Sequence, residues 1–249
     1  MKRLKYVVIT FVVIYSLLLL IILIVRLPSY TIRTNGKLYI VNKVSRDITV
    51  FDLSKRKEIA EITIDIESHE AITTLDKNSV VVTNYGAIDS DGNIIKVINT
   101  KTNEVEKTID LKGNIRVNGL VAFPKTNKLA LIDYVSNDLL VLNIETDSIE
   151  KQIQTKQKMS HLLALHPNKA IAYVTNMESN SVSVIDLNKN EVIKIIPCGL
   201  VTESIDITPD GSEIWVTNKN GNSITIINTS TYDVIDTLDT GNEPLKLKF

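Results

Sequence analysis

The chain has 249 residues, 28 basic and 29 acidic side chains, a formal net charge of −1 and a single cysteine, so no intrachain disulfide can form. Positions 1 to 26 hold four basic residues and no acidic ones, which leaves 24 against 29 and a net charge of about −5 for the rest. An acidic domain lacks the clustered Lys and Arg that phosphate backbones require, so nucleic acid and anionic wall polymers are excluded as expected partners.

The first stretch in chain order is Met1-Lys2-Arg3-Leu4-Lys5 followed by a run of 20 uncharged residues from Tyr6 to Val25. As a helix this run is long enough to cross a hydrocarbon core of about 30 Å. Three basic residues precede it and only Arg26 directly follows it, a bias that places the N-terminus in the cytoplasm. Ile22-Leu23-Ile24-Val25-Arg26-Leu27-Pro28 offers no small-residue cleavage site, so the segment reads as an uncleaved anchor rather than a signal peptide. Residues 1–26 are therefore expected to be a cytoplasmic stub and transmembrane anchor. Residues 30–249 are expected to form an extracytoplasmic domain of a single-pass membrane protein.

From there one short phrase returns five times. Its clearest copies are Ala172-Tyr173-Val174-Thr175-Asn176 and Ile214-Trp215-Val216-Thr217-Asn218, with looser ones at Tyr39-Ile40-Val41-Asn42, Val81-Val82-Thr83-Asn84 and Ala130-Leu131-Ile132-Asp133. The polar end residues stand at 42, 84, 133, 176 and 218, giving steps of 42, 49, 43 and 42 residues. A fixed period of this size marks a repeat architecture. Ten residues after the phrase a second alternating run ends at Asp52, Asn143, Asp186 and Asn228; in the second repeat the gap is fifteen and ends at Asn99. Asn-flanked links such as Asn176-Met177-Glu178-Ser179-Asn180 join the two runs as hairpins, because Asn bonds nearby backbone and tolerates left-handed conformations. A third, more charged run follows, as in Glu104 to Ile109 and Glu191 to Ile196, and Lys and Glu are what an exposed edge strand carries. A fourth, such as Leu162 to Leu165 before His166-Pro167-Asn168, or Ser204 to Thr208 before Pro209-Asp210-Gly211, leads back into the phrase. His166, in its turn, is expected at the surface. Cys198 is expected to be a small packed residue.

Four antiparallel strands per repeat and five repeats describe an all-β fold, a β-propeller of five four-stranded blades preceded by one transmembrane helix. Tyr173-Val174-Thr175-Asn176, with Val184-Ile185-Asp186 ten residues on and Pro209-Asp210-Gly211 before the next copy, resembles the YVTN-type β-propeller repeat, related in layout to WD repeats and found in surface-layer and periplasmic proteins. The resemblance implies the fold and an extracytoplasmic setting, not one activity, since members range from binding scaffolds to domains beside redox enzymes. Such propellers commonly have seven blades. Five copies either close as a small ring or need another chain, which makes a homo-oligomer one expectation. Tyr30 to Thr34 and Leu245 to Phe249 both claim the innermost place of the first blade.

By analogy with WD repeats, the fourth run is the innermost strand of the following blade. Fifteen residues back from each phrase end it enters the channel, at Leu27, His69, Asn118, His161 and Glu203, with Leu245 after the last blade. His69, Asn118, His161 and Glu203 are the candidate ligand-binding residues at the channel mouth, suited to a small polar ligand or a transition metal. Asp89, Asp91 and Asn93 alternate as in oxygen-rich calcium loops, but Thr100 stands where a bidentate Glu would be needed, and an extended hairpin with an Asp-Gly turn explains them more simply. No motif calls for a cofactor. Because no nucleophile elbow, HExxH, P-loop or dinucleotide fingerprint is present, the expected function is a membrane-tethered binding or scaffold module for a membrane-protein or envelope partner. The alternative is an enzyme or redox-associated subunit using the channel mouth.

Overall fold

The computed structural model describes residues 34–249, apart from 66, 75, 85, 87–91 and 125. The expected anchor from Tyr6 to Val25, Leu27 and the stretch 30–33 lie outside the described residues, and so do Asp89 and Asp91. Among the described residues no helix is long and apolar enough to cross a membrane; every element is a strand.

The first sheet contains β1 (Lys37–Asn42), β2 (Asp47–Asp52) and β3 (Lys57–Thr63). The second contains β4 (Ser68–Thr73), β5 (Ser79–Asn84), β6 (Ile94–Asn99) and β7 (Glu104–Asp110), and the third β8 (Val117–Ala122), β9 (Lys128–Asp133), β10 (Asp138–Asn143) and β11 (Ser148–Gln154). The fourth contains β12 (Ser160–Leu165), β13 (Ile171–Asn176), β14 (Ser181–Asp186) and β15 (Glu191–Pro197), and the fifth β16 (Thr202–Ile207), β17 (Glu213–Asn218), β18 (Ser223–Asn228) and β19 (Val234–Asp239). The four-stranded sheets keep sequence order, with the charged third run at one edge and the strand before the phrase at the other. The first sheet has three strands among the described residues, one fewer than expected; of the two segments expected to claim its inner place, 30–33 lies outside the described residues and 245–249 forms no strand.

The two hairpins that flank the second run of each repeat are fixed by side-chain amides and carboxylates. Asp52, Asn99, Asn143, Asp186 and Asn228 end the second run, and each accepts a backbone N–H two or three residues ahead at 2.8–3.0 Å. Four residues past each of them the chain turns left-handed, at Arg56, Asn103, Asp147, Asn190 and Tyr232, a conformation that costs most residues energy unless neighbouring bonds impose it. The phrase-end Asn does a different task. Asn42, Asn176 and Asn218 each donate their amide to the polar side chains five and seven residues ahead, at 2.7–3.2 Å, stapling the two central strands together.

Two compact units divide the described residues. The smaller comprises 34–37 with 52–57 and is held by Leu53 N to Gly36 O at 3.0 Å and Ser54 Oγ to Asn35 Oδ1 at 3.2 Å. The larger comprises 38–51 with 58–249, and its core is one packing scheme repeated. A rim isoleucine of one sheet shares a core cluster with the second and fourth residues of the next sheet's phrase strand. Ile62 clusters with Val80 and Val82, Ile109 with Leu129 and Leu131, Ile153 with Ala172 and Val174, and Ile196 with Ile214 and Val216. Burying each such aliphatic side chain is worth about 1.5–3 kcal/mol.

Candidate functional site at the inner strand ends

In each four-stranded sheet the first residue of the inner strand pairs with the phrase end: Ser68 with Asn84, Val117 with Asp133, Ser160 with Asn176 and Thr202 with Asn218. The register then slips, and pairing resumes three residues on, at Ala71, Leu120, Leu163 and Ile205. The slipped residues include His69, Asn118, His161 and Glu203, so the four positions reached by counting back along the sequence are one structural position, the start of an inner-strand irregularity. A bulge of this kind re-aims side chains, and bulges concentrate beside functional sites.

A slipped strand leaves backbone groups without ladder partners, and buried orphans are costly. The phrase threonine takes up that demand. Thr175 Oγ1 accepts from Leu162 N at 3.0 Å and donates toward Leu162 O and Glu203 O, both at 3.2 Å; Thr83 brackets Glu70 in the same manner, at 3.3 Å on both sides. Thr217 accepts from Ser204 N at 2.9 Å. These clamps are residues that sequence reading missed, although the recurring Thr of the phrase was their signal. The third sheet has Ile132 in that place and Gly119 in the bulge, where a Cβ would sit 2.9 Å from His161 O and 2.7 Å from Leu163 Cδ2. Glycine is required there by the close approach of the neighbouring strand.

At the mouth itself, His161 Nδ1 lies 3.0 Å from Glu203 O and 3.8 Å from Glu203 Oε1, with both side chains about seven-eighths buried. A carbonyl only accepts, so Nδ1 is the donor in this contact. Asn118 is 2% exposed, and its Oδ1 has no hydrogen-bond partner among the described residues; the same holds for Glu203 Oε2 and for Ser68 Oγ. The backbone of His69 occupies the equivalent place in β4. The structure therefore aligns the four candidates by position and joins two of them, His161 and Glu203, by direct contact. Asn93, from the candidate calcium loop, donates its amide to Asp110 Oδ1 at 2.9 Å. Among the described residues no three His, Cys, Asp or Glu side chains gather as a metal site would require.

Behind the mouth a cavity of about 390 Å³ is walled by β4, β8, β12, β16 and the C-terminal segment. Lys246 pairs with Glu70 at 3.3 Å, Lys248 pairs with Asp206 at 3.1 Å, and Phe249 N donates to Asp206 Oδ2 at 2.8 Å. Thr217 Oγ1 reaches Leu245 O at 3.5 Å, the counterpart of Thr175 with Glu203 O, so Leu245 fills the register slot expected of it. Residues 245–249 form no strand, and side-chain charge with the edge-on Trp215–Phe249 contact at 5.6 Å holds them. A larger cavity, about 500 Å³, lies between the third and fourth sheets beside Phe123, Leu165 and Leu187. His166 lines it but is only 6% exposed, which corrects the surface expectation. Its Nδ1 accepts from Asn168 N at 3.0 Å and Lys169 N at 3.1 Å, and burial, then nearby Lys169, holds its pKa below the usual value. Because that nitrogen is committed to the turn, we place the functional candidate at the mouth and not in this larger cleft. Cys198 packs in the core of the fourth and fifth sheets, where burial pushes its thiol up to about 12 and leaves it unreactive.

Antiparallel sheets in sequence order, each laid on the next by the same rim residue, define the class: a repeat protein of the β-propeller type. The profile of the YNCE-like beta-propeller family matches residues 126–248, a match consistent with the resemblance carried by the YVTN phrase. No curated protein matches the sequence significantly. Among solved structures, a functionally unknown protein from Desulfotomaculum acetoxidans DSM 771 is similar at 19% identity and a TM-score of 0.72, over 86% of this chain and 68% of that one. At that identity the likeness establishes fold alone.

Proposed function

We propose that the protein is a membrane-tethered binding module, anchored by the apolar segment 6–25, with its propeller domain on the extracytoplasmic side and the inner-strand mouth as the docking point for a membrane protein or an envelope component. The observation that carries the reading is the set of acceptors at one repeat position: Asn118 Oδ1 and Glu203 Oε2 are buried without partners among the described residues, and Glu203 lies against His161. An unmet buried acceptor costs about 1–3 kcal/mol, and hydrogen-bond donors on a partner would relieve that cost. The lack of any nucleophile motif and the anchor's charge bias support a docking role on the outer side.

The close approach of His161 to Glu203 also supports a second reading, an enzyme in which the two form an acid–base couple. The test is made on the full chain in its own membrane. A photoreactive residue at position 161 should yield a discrete adduct that is absent from rim position 150 and lost when Glu203→Ala is added. Alkaline phosphatase fused after Phe249 should be active. Equal adducts from both positions, or an inactive fusion, would refute the docking proposal.

A further inference from the structure

The inter-sheet joint recurs four times in this chain and leaves one copy unmade. The rim residues Ile62, Ile109, Ile153 and Ile196 are 6%, 1%, 3% and 2% exposed, whereas Leu238, at the same place in β19, is 38% exposed. The receiving positions behave alike. Val80, Val82, Leu129, Leu131, Ala172, Val174, Ile214 and Val216 are all 2% exposed or less, whereas Leu38 and Ile40 of β1 are 47% and 40% exposed. The last sheet thus presents a knob without a socket, and the first presents a socket without a knob. All three residues belong to the larger unit, and the chemistry each half requires is spelled out by the joints already built.

We infer that this protein associates head to tail with a second copy of itself, Leu238 and its neighbours on β19 of one chain seating on Leu38 and Ile40 of the next. Among the described residues both halves stay exposed, and each has the chemistry that the other lacks. The β19 patch also exposes Val234 and Ile235 at 45% and 50%, a concentration of apolar side chains that marks an interaction surface. An interface whose two sides differ is heterologous, so it generates either closed rings or open chains of copies. This inference is independent of the mouth.

The experiment uses the full chain in nanodiscs, with Cys198→Ser as background. One preparation carries Ile40→Cys and another Leu238→Cys. Under mild oxidation the mixture should form a covalent dimer that neither preparation forms alone. A chain carrying both substitutions should give a ladder of multimers that shortens on dilution. In parallel, light scattering should show the wild-type mass falling to that of one copy in Leu238→Lys, with an unchanged circular dichroism spectrum. The absence of a dimer in the mixture would overturn the inference, as would a doubly substituted chain that closes only on itself at every dilution.

Discussion

The third and fourth sheets are built to the same plan with different parts. In the fourth, Thr175 clamps the bulge and Asn176 staples β13 to β14 through Ser181 and Ser183 at 3.2 and 2.9 Å. In the third, Ile132 and Asp133 occupy those places. Asp133 cannot donate, and it turns instead to accept from Arg116 N, Val135 N and Ser136 Oγ at 2.7–3.1 Å. Asp138, five residues on, is 1% exposed and keeps one oxygen without a partner; in the first sheet the equivalent Asp47 receives the Asn42 amide at 2.7 Å. The comparison teaches that the phrase is a hydrogen-bonding device laid over an apolar strand. The strand survives loss of the device when packing compensates, here through Ile132 and the close fit at Gly119.

Four substitutions or conditions break or sharpen that contrast. Asn176→Leu keeps the size of the side chain and strips partners from Ser160, Ser181 and Ser183. It should cost about 3 kcal/mol in denaturant unfolding, since buried polar groups are left unmet. Gly119→Ala forces a methyl against His161 O and Leu163 and should cost about 2 kcal/mol in the same assay. Asp133→Asn restores a donor opposite Asp138 and should stabilise the protein by about 1 kcal/mol, making the third sheet more like the fourth.

The smallest effect is one of pH, and it too divides the two sheets. His166 directly follows β12, where the third sheet has Phe123 after β8. Its folded pKa lies below the ordinary 6.5, so the folded state resists a proton that the unfolded chain accepts. The stability it contributes is fully present above pH 6.5 and is lost as pH falls from there toward the folded value. Melting curves of wild type and His166→Asn should differ by a constant amount above pH 6.5 and converge below it.

Much of this was legible in the sequence because its punctuation is chemical. Asn176, Asp186 and their counterparts end strands at the predicted residues, since Asp186 accepts from the turn that follows it and Asn176 staples the strands on either side of its turn. Counting from those caps also located Asn118, His161 and Glu203 at one level, because sheets of one plan keep one register. The slip in the inner strands has no signature in its own residues, which are as unlike as Glu70, Gly119, Leu162 and Ser204; in three of the four sheets the threonine on the neighbouring strand bonds the backbone it exposes. His166 was misread because the rule that a His-Pro turn is exposed ignores Gly211, whose bare Cα lets the imidazole and Pro167 pack down; a Cβ there would lie 2.9 Å from His166 Cε1.

In the fourth sheet the phrase threonine holds the bulge that carries His161. Native-state hydrogen exchange of the Leu162 amide, bound to Thr175 Oγ1 at 3.0 Å, tests it directly. The amide should be strongly protected in the wild type and should exchange at least tenfold faster in Thr175→Val, while the Ser204 amide, held by Thr217, is unchanged. A Leu162 amide that exchanges freely in the wild type, or that is indifferent to the loss of the hydroxyl, would contradict it.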